Sequence, residues 1–302
     1  MNMYDIIIIG GGPAGLTAAL YAKRANKSVL VIEKATFGGQ ITYSPKVENI
    51  PGFLSLSGNE FAEKLIEQVL EQGAEVEMAE VTGITKADNF TVHTDCGDFE
   101  GKTVIVATGA KHRMLGLDRE EQFVGEGISF CAVCDGAFYE GKTVAVIGGG
   151  NSALQEAILL SDLAKKVYVV QNLDYLTGEV KLQQQLENKD NVEIILGTVV
   201  KELLGDTELV GINVENSTGN VRKLDIDGMF VAIGLIPQNE PFAEHITLNS
   251  WGYADSGEDC KTSCDGIFVA GDCRSKRIRQ VATAAADGAI AALAACDYID
   301  AK

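Results

Sequence analysis

The chain opens on an all-apolar run, Ile6 to Ile9. There follow Gly10-Gly11-Gly12-Pro13-Ala14-Gly15, an Ala- and Leu-rich stretch of helical spacing to about Ala25, and a second apolar run, Val29 to Ile32. Short unbroken apolar runs read as strands buried on both faces, and the glycines punctuate a strand-to-helix turn, so this order predicts a βαβ unit. The same order returns at Val144 to Ile147, Gly148-Gly149-Gly150-Asn151-Ser152-Ala153, a helical stretch through Leu163, and Val167 to Val170. Two dinucleotide-type folds are therefore expected, an internal duplication of architecture rather than a short-period repeat.

A chain of 302 residues accommodates two domains of ordinary size. One crossing between them is expected in the polar stretch Leu115 to Gln122. The other falls at Ile236-Pro237-Gln238-Asn239-Glu240-Pro241, which holds the only close pair of prolines. The remainder is too short to fold alone. Its apolar run Ile267 to Ala270 and its Ala-rich helix from Val281 to about Ala295 should complete the first domain. The expected division is residues 1–116 with 241–302, and an inserted domain at 117–240. Val76 to Val81 followed by Phe90 to Thr94 would add antiparallel strands. The fold class is α/β: two Rossmann-like dinucleotide-binding domains with antiparallel β additions.

Composition narrows the function. No apolar run reaches the roughly 18 to 20 residues of a membrane helix, and Ile6 to Ile9 lacks the length and basic flank of a signal peptide, so a cytoplasmic protein is expected. A formal net charge of −18 speaks against direct nucleic-acid binding, which needs a local excess of Lys and Arg. Seven cysteines, an odd number, do not resemble a secreted disulfide framework. Cys260 and Cys264 lie four apart with no second Cys or His pair nearby, so no metal site is expected there. The scattered His93, His112 and His245 share no motif and are expected as surface or satisfied polar residues, and the five methionines form no stripe.

Gly10, Gly12 and Gly15 have the spacing of a dinucleotide turn. The first makes the tight bend, the second lets the backbone approach a pyrophosphate, and the third permits close helix packing, with Pro13 and Ala14 opening the helix. Glu33 ends the next strand, where a carboxylate can accept both hydroxyls of a ribose that lacks a 2′-phosphate. The second chemical centre is Cys131-Ala132-Val133-Cys134. Two thiols at this spacing can close a local disulfide, and such motifs depress one thiol pKa. Asp135 follows directly and could exchange protons with a leaving or attacking thiol. Half of a metal site is the competing reading of one CxxC, though no second pair matches it.

The segment Cys131 to Gly136, just before the second glycine turn, resembles the redox motif of the low-molecular-weight thioredoxin reductases. The likeness continues in Gly38-Gly39-Gln40, Val47-Glu48-Asn49-Ile50-Pro51-Gly52 and Ala107-Thr108-Gly109-Ala110. It extends to Gly271-Asp272-Cys273-Arg274 and Arg279-Gln280-Val281, in order over nearly the whole chain. The resemblance implies FAD held by the Gly10–Gly15 turn, Glu33, Gly39, Gln40, Asn49, Ala107, Thr108, Gly109, Gly271, Asp272, Arg279, Gln280 and Val281. It makes Cys134 the flavin-side sulfur and Cys131 the sulfur that attacks the substrate disulfide, with thioredoxin as protein partner and a homodimer as assembly. Rotation of the inserted domain is expected, since a disulfide against the flavin cannot also face a bulky substrate.

This sequence departs from the family at the electron donor. NADPH-dependent members resemble one another in a His-Arg-Arg run after the second strand of the inserted domain, with a further Arg beyond it, aimed at the 2′-phosphate. Here those positions read Gln171, Asn172, Leu173 and Thr177, although Gly148, Gly150 and Ala153 of the turn are retained. Charge-assisted hydrogen bonds are worth roughly 1.5 to 3 kcal/mol, so losing two should weaken NADPH by about 10²- to 10⁴-fold. An NADH enzyme would place a carboxylate at the strand end; Gln171 is neutral and Asp174 comes three residues late.

The chain therefore most resembles the ferredoxin-linked flavin thioredoxin reductases. Arg274, Lys276, Arg277 and Arg279 are the densest basic cluster for an acidic ferredoxin to meet, unless they serve FAD or are simply solvated. An NAD(P)H-dependent reductase and a non-enzymatic flavin redox sensor are alternatives built on the same residues. Trp251 and Tyr253 are expected either over the flavin or, preferably, filling the seam between domains.

Overall fold

A computed structural model describes residues 3–44 and 46–302. Met1, grouped above with the methionines, lies outside the described residues. The chain forms two compact units, residues Met1–Lys111 with Ile236–Lys302, and residues His112–Leu235.

The first unit begins β1 (Met3–Ile9), α1 (Pro13–Arg24), β2 (Val29–Glu33), α2 (Gly58–Glu71) and β3 (Glu75–Met78). It continues with β4 (Val81–Lys86), β5 (Phe90–Thr94) and β6 (Gly97–Val106), and β7 (Ala110–His112) carries the chain across the boundary to the second. The apolar run at the start of the chain is paired in parallel with β2 and β6 and buried on both faces, Ile6 and Ile8 packing in a cluster with Leu16 and Ala291, Ile7 and Ile9 in another with Ile84 and Val92. The segment Val76 to Val81, read as one antiparallel strand, is two strands. β3 extends the parallel ladder on β2, and the chain breaks before β4 turns to pair antiparallel with β5. The apolar alternation spans both pieces, and nothing local marks the change of partner.

The second unit continues with β8 (Ile128–Ser129), α3 (Ala132–Asp135), β9 (Thr143–Ile147), α4 (Asn151–Ser161), β10 (Lys166–Val170) and α5 (Val180–Glu187). It is completed by β11 (Val192–Ile195), β12 (Thr198–Gly205), β13 (Leu209–Asn216), β14 (Val221–Asp225) and β15 (Gly228–Val231). Its parallel sheet runs β11-β10-β9-β15-β8, the crossover order of a dinucleotide fold, and β12-β13-β14 form a separate antiparallel sheet.

The chain returns through β16 (Leu235–Pro237), then β17 (Ile267–Val269) and α6 (Val281–Asp300). β17 pairs in parallel with the end of β6, so the last segment completes the sheet of the first unit. Helix α6 runs past Ala295 because no Gly or Pro interrupts Cys296 to Asp300. By length and composition α6 is apolar enough to cross a membrane, which no run in the sequence was expected to be. It is a core helix of the first unit: Ala291, Ala292 and Ala295 are fully buried, and a Cβ at Gly288 would stand 2.1 Å from the Ala14 carbonyl of α1.

Candidate functional site

In the first unit the glycine turn between β1 and α1 divides into supporting and ligand-facing positions. Gly10 lies at φ +113°, and a Cβ there would meet the Ala107 carbonyl at 2.3 Å; a Cβ at Gly15 would meet the Gly10 carbonyl at 1.8 Å. Gly12 differs, since the nearest atom to a Cβ there is the Gly38 carbonyl oxygen at 3.8 Å and its φ is −81°. The fold does not need glycine at position 12; the open face of the turn does. No side chain caps α1, and its first turn holds Pro13 and Ala14 and no acid, so its amides and positive dipole end are available to an anion.

Glu33 at the end of β2 accepts the amides of Gly11 at 2.7 Å and Ala35 at 2.9 Å, which fixes the carboxylate beside the turn. Gly39, at φ +62°, lies against Gly12, and the Gln40 amide donates to the Ala110 carbonyl. Ala107 donates its amide to Ile9, and Thr108 donates to Asn239, whose amide donates in turn to the carbonyls of Gly252 at 2.9 Å and Cys273 at 2.7 Å. Gly109, at φ +68°, accepts the Gln238 amide. Asn49 donates to Gln280 at 3.2 Å, and Gln280 caps α6 ahead of Val281.

The remaining cradle residues carry unmet polar atoms. Asp272 Oδ1 and Arg279 Nε are buried without a hydrogen-bond partner. Burial raises the Asp272 pKa, while Lys276 and Arg279 pull it back. Buried polar atoms are normally satisfied, so these two point to a polar ligand. The Arg279 guanidinium lies 4.3 Å over the Tyr253 ring, whereas Trp251, expected as a filler, is 79% exposed.

The expected basic cluster is only partly a surface patch: Arg277 is exposed, but Arg274 and Lys276 are turned inward. Arg274 is 3% exposed and grips Asp287 through two nitrogens, and Lys276 donates to the same carboxylate at 2.8 Å. The sequence reading missed Asp287 because it lies on α6, a turn and a half beyond the helix start, within an apolar stretch.

In the second unit Cys131 and Cys134 form a disulfide with a Cα–Cα separation of 5.3 Å. Cys131 caps the short helix α3, its sulfur accepting the Cys134 amide at 3.2 Å. Ser129, at the end of β8, accepts the Cys131 amide at 3.1 Å and donates to Asp135 Oδ2 at 2.6 Å. One buried hydroxyl thus ties the redox pair to the carboxyl beside it. Asp135 Oδ1 is buried and unpartnered; burial raises its pKa against the opposing pull of Ser129. Val133, between the cysteines, is 66% exposed while Ala132 is buried. His112 stacks on Phe130, and burial brings its pKa down to about 4, so it is a neutral, packed residue.

The second glycine turn keeps its backbone. Gly148 lies at φ +130° with a Cβ position 2.5 Å from the Ala232 carbonyl, Gly150 caps α4 and Ala153 is fully buried. Across the turn, the amides of Thr177 and Gly178 donate to the Gly149 carbonyl at 2.8 and 2.9 Å. Gln171 is 5% exposed, packs against Gly149 and donates to the Tyr175 carbonyl. Asn172 and Leu173 face solvent, and no Lys or Arg occurs from Gln171 to Val180.

A nucleotide-type cradle with unmet polar atoms in one unit and a Cys-x-x-Cys disulfide with an adjacent buried acid in the other define a flavoprotein disulfide oxidoreductase. Residues 4–288 match the model of the pyridine nucleotide-disulphide oxidoreductase family. The chain is 38% identical to the thioredoxin reductase of Bacillus subtilis, over 99% of its length and 96% of that protein. It is 42% identical to a 34.2 kDa protein in a rubredoxin operon of Clostridium pasteurianum, covering 99% and 98% of the two chains. The crystal structure of thioredoxin reductase from Streptococcus pyogenes superposes with a TM-score of 0.95 at 41% identity, covering 99% of each chain. The chain belongs to the pyridine nucleotide-disulphide oxidoreductases and, among them, to the low-molecular-weight thioredoxin reductases, which are FAD-binding flavoenzymes.

The residues of the first unit fit that cofactor. The clear face at Gly12 and the uncapped helix end suit a pyrophosphate, Glu33 suits an unphosphorylated ribose, and the orphaned Asp272 and Arg279 atoms suit a polar chain.

Proposed function

We propose that this enzyme passes electrons from FAD through Cys131 and Cys134 to the disulfide of thioredoxin, and that it is fed by reduced ferredoxin rather than by NADPH. FAD supplies a carrier able to take electrons from a donor and deliver a pair to a disulfide. On this reading it is held by Gly10, Gly12, Pro13, Ala14, Gly15 and Glu33, by Gly39, Gln40, Asn49 and Ala107 to Gly109, and by Gly271, Asp272, Arg279, Gln280 and Val281.

One electron pair and two protons convert the Cys131–Cys134 disulfide to two thiols. Asp135, whose pKa is raised by burial, supplies a proton to the sulfur that leaves. The thiolate of Cys131 attacks the substrate disulfide and releases one substrate sulfur as its thiol; Cys134 then attacks the mixed disulfide, restoring the pair and releasing the second. The short hydrogen bond from Ser129 orients the Asp135 carboxyl for this transfer. Relatives called thioredoxin reductases support thioredoxin as substrate. A homodimer in the cytoplasm is the assembly and location that accompany this reading.

The observation that carries the donor assignment is a glycine turn kept intact beside positions 171, 172, 173 and 177 that offer no cation. A 2′-phosphate would meet neutral groups there, at a loss of about 1.5 to 3 kcal/mol for each missing charged hydrogen bond. The Clostridium relative's place in a rubredoxin operon agrees with a small iron protein as donor. Docking of such a donor cannot rest on Arg274 and Lys276, both of which are turned inward onto the Asp287 carboxylate. Anaerobic mixing of the oxidised flavoprotein with reduced ferredoxin, NADPH or NADH separates the donors: rapid bleaching of the flavin absorbance is expected with ferredoxin alone. Equally rapid bleaching by micromolar NADPH or NADH would overturn the donor assignment and leave the disulfide chemistry intact.

A further inference from the structure

We propose that Asp287 is the positioning residue of the flavin site: its carboxylate clamps the loop on both sides of Asp272, so that the Asp272 carboxyl is presented, unpartnered, to the cofactor. The proposal rests on the reading of the first unit as the FAD site.

Asp272 lies in the loop between β17 and α6, with one oxygen buried and unmet. A carboxyl in that state gains by swinging into water, since an unsatisfied buried polar atom costs about 1 to 3 kcal/mol. Something must hold the loop against that gain. Asp287 takes the Gly271 amide at 3.0 Å on one side of Asp272. On the other side it takes Arg274 Nε at 2.9 Å, Arg274 Nη2 at 2.8 Å and Lys276 Nζ at 2.8 Å.

All four bonds converge on a carboxylate that is 4% exposed, in the body of the helix that packs on α1. Burial pushes the Asp287 pKa up, but the bonds from Arg274 and Lys276 outweigh it and leave the carboxyl below its ordinary value, ionised as the clamp requires. Gly271 itself lies at φ +79° with a Cβ position 2.8 Å from the Ala14 side chain, so glycine is what lets the loop pass this close to α1.

The test is a double-mutant cycle on the holoenzyme, read as the rate at which FAD leaves on dilution, followed by the rise of free-flavin fluorescence. Asp287→Asn should speed FAD release by about tenfold or more when Asp272 is present, and by about twofold or less in an Asp272→Asn background, because coupled residues are non-additive. A merely structural Asp287 would speed release equally in both backgrounds, which refutes the clamp, as does an unchanged rate in both.

If Asp287→Asn does not fold, Lys276→Met decides, since it removes one donor and keeps the paired grip of Arg274. A roughly threefold acceleration confined to the Asp272-containing protein supports the clamp, and an equal or absent effect in both backgrounds overturns it. Wild-type protein that carries no FAD would sink the site reading itself, a result distinct from FAD held equally well by every variant.

Discussion

Replacing Asp135 by Asn tests the route of the proton at the disulfide. The wild-type carboxyl is bound through Oδ2 to Ser129 at 2.6 Å and leaves Oδ1 buried without a partner. Burial raises its pKa and Ser129 only partly opposes this, so the group keeps its proton at a pH where an ordinary aspartate has lost it. Asn reproduces the shape and the Ser129 contact but has no proton to release. Proton transfer by a positioned side chain is worth about 10²- to 10⁴-fold, so thioredoxin turnover should fall by that factor, or about 2.7 to 5.4 kcal/mol of barrier.

Stability should move the other way. A group whose folded pKa is raised contributes stability below its unfolded pKa and loses it as pH rises through the folded value. Above that folded value the wild-type protein therefore carries a buried charge that the variant lacks. The assay is coupled disulfide reduction across the neutral range, with thermal unfolding measured in the same buffers. The expected result is lost turnover, lost decline of activity as pH rises, and an unfolding temperature above the folded pKa equal to or above that of the wild type. Turnover within twofold of wild type, with the same alkaline decline, would refute the role of Asp135.

The two glycines of the first turn should fail differently. Gly10→Ala forces a side chain at φ +113° into the Ala107 carbonyl and should prevent stable folding, seen as loss of soluble protein. Gly12→Ala meets nothing nearer than 3.8 Å and should fold with wild-type circular dichroism yet bind FAD at least about tenfold more weakly, read by flavin content. Grafting cations at the second turn, as Gln171→His, Asn172→Arg, Leu173→Arg and Thr177→Arg together, should raise the rate of flavin reduction by NADPH about a hundredfold or more; no gain would mean that something other than missing charge excludes it.

Much of this architecture is local in origin and therefore readable in the chain. Ile6 to Ile9 and Val144 to Ile147 announce buried strands because both their faces are covered, and the glycines after them mark turns whose φ values only glycine adopts without strain. The redox pair is equally local, four consecutive residues that close on themselves. Ser129 carries no sequence signal, because its importance lies in bonding Cys131 and Asp135 at once.

Asn239 is silent for a similar reason, joining Thr108 to Cys273 across long sequence separations. Arg274 and Lys276 misled as a surface patch because the carboxylate they share stands on another element. Glu156 is a third silent residue: burial on α4 pushes it up to about 8 and leaves Oε2 unpartnered, which helical spacing alone does not reveal.

The central claim is that FAD and the Cys131–Cys134 disulfide form one electron-accepting system. An anaerobic reductive titration of the wild-type holoenzyme and of the Cys131→Ser/Cys134→Ser variant tests it directly. The wild type should take up one electron pair for the flavin and a further pair for the disulfide, and the variant only the pair for the flavin. Identical uptake by the two proteins would contradict the account.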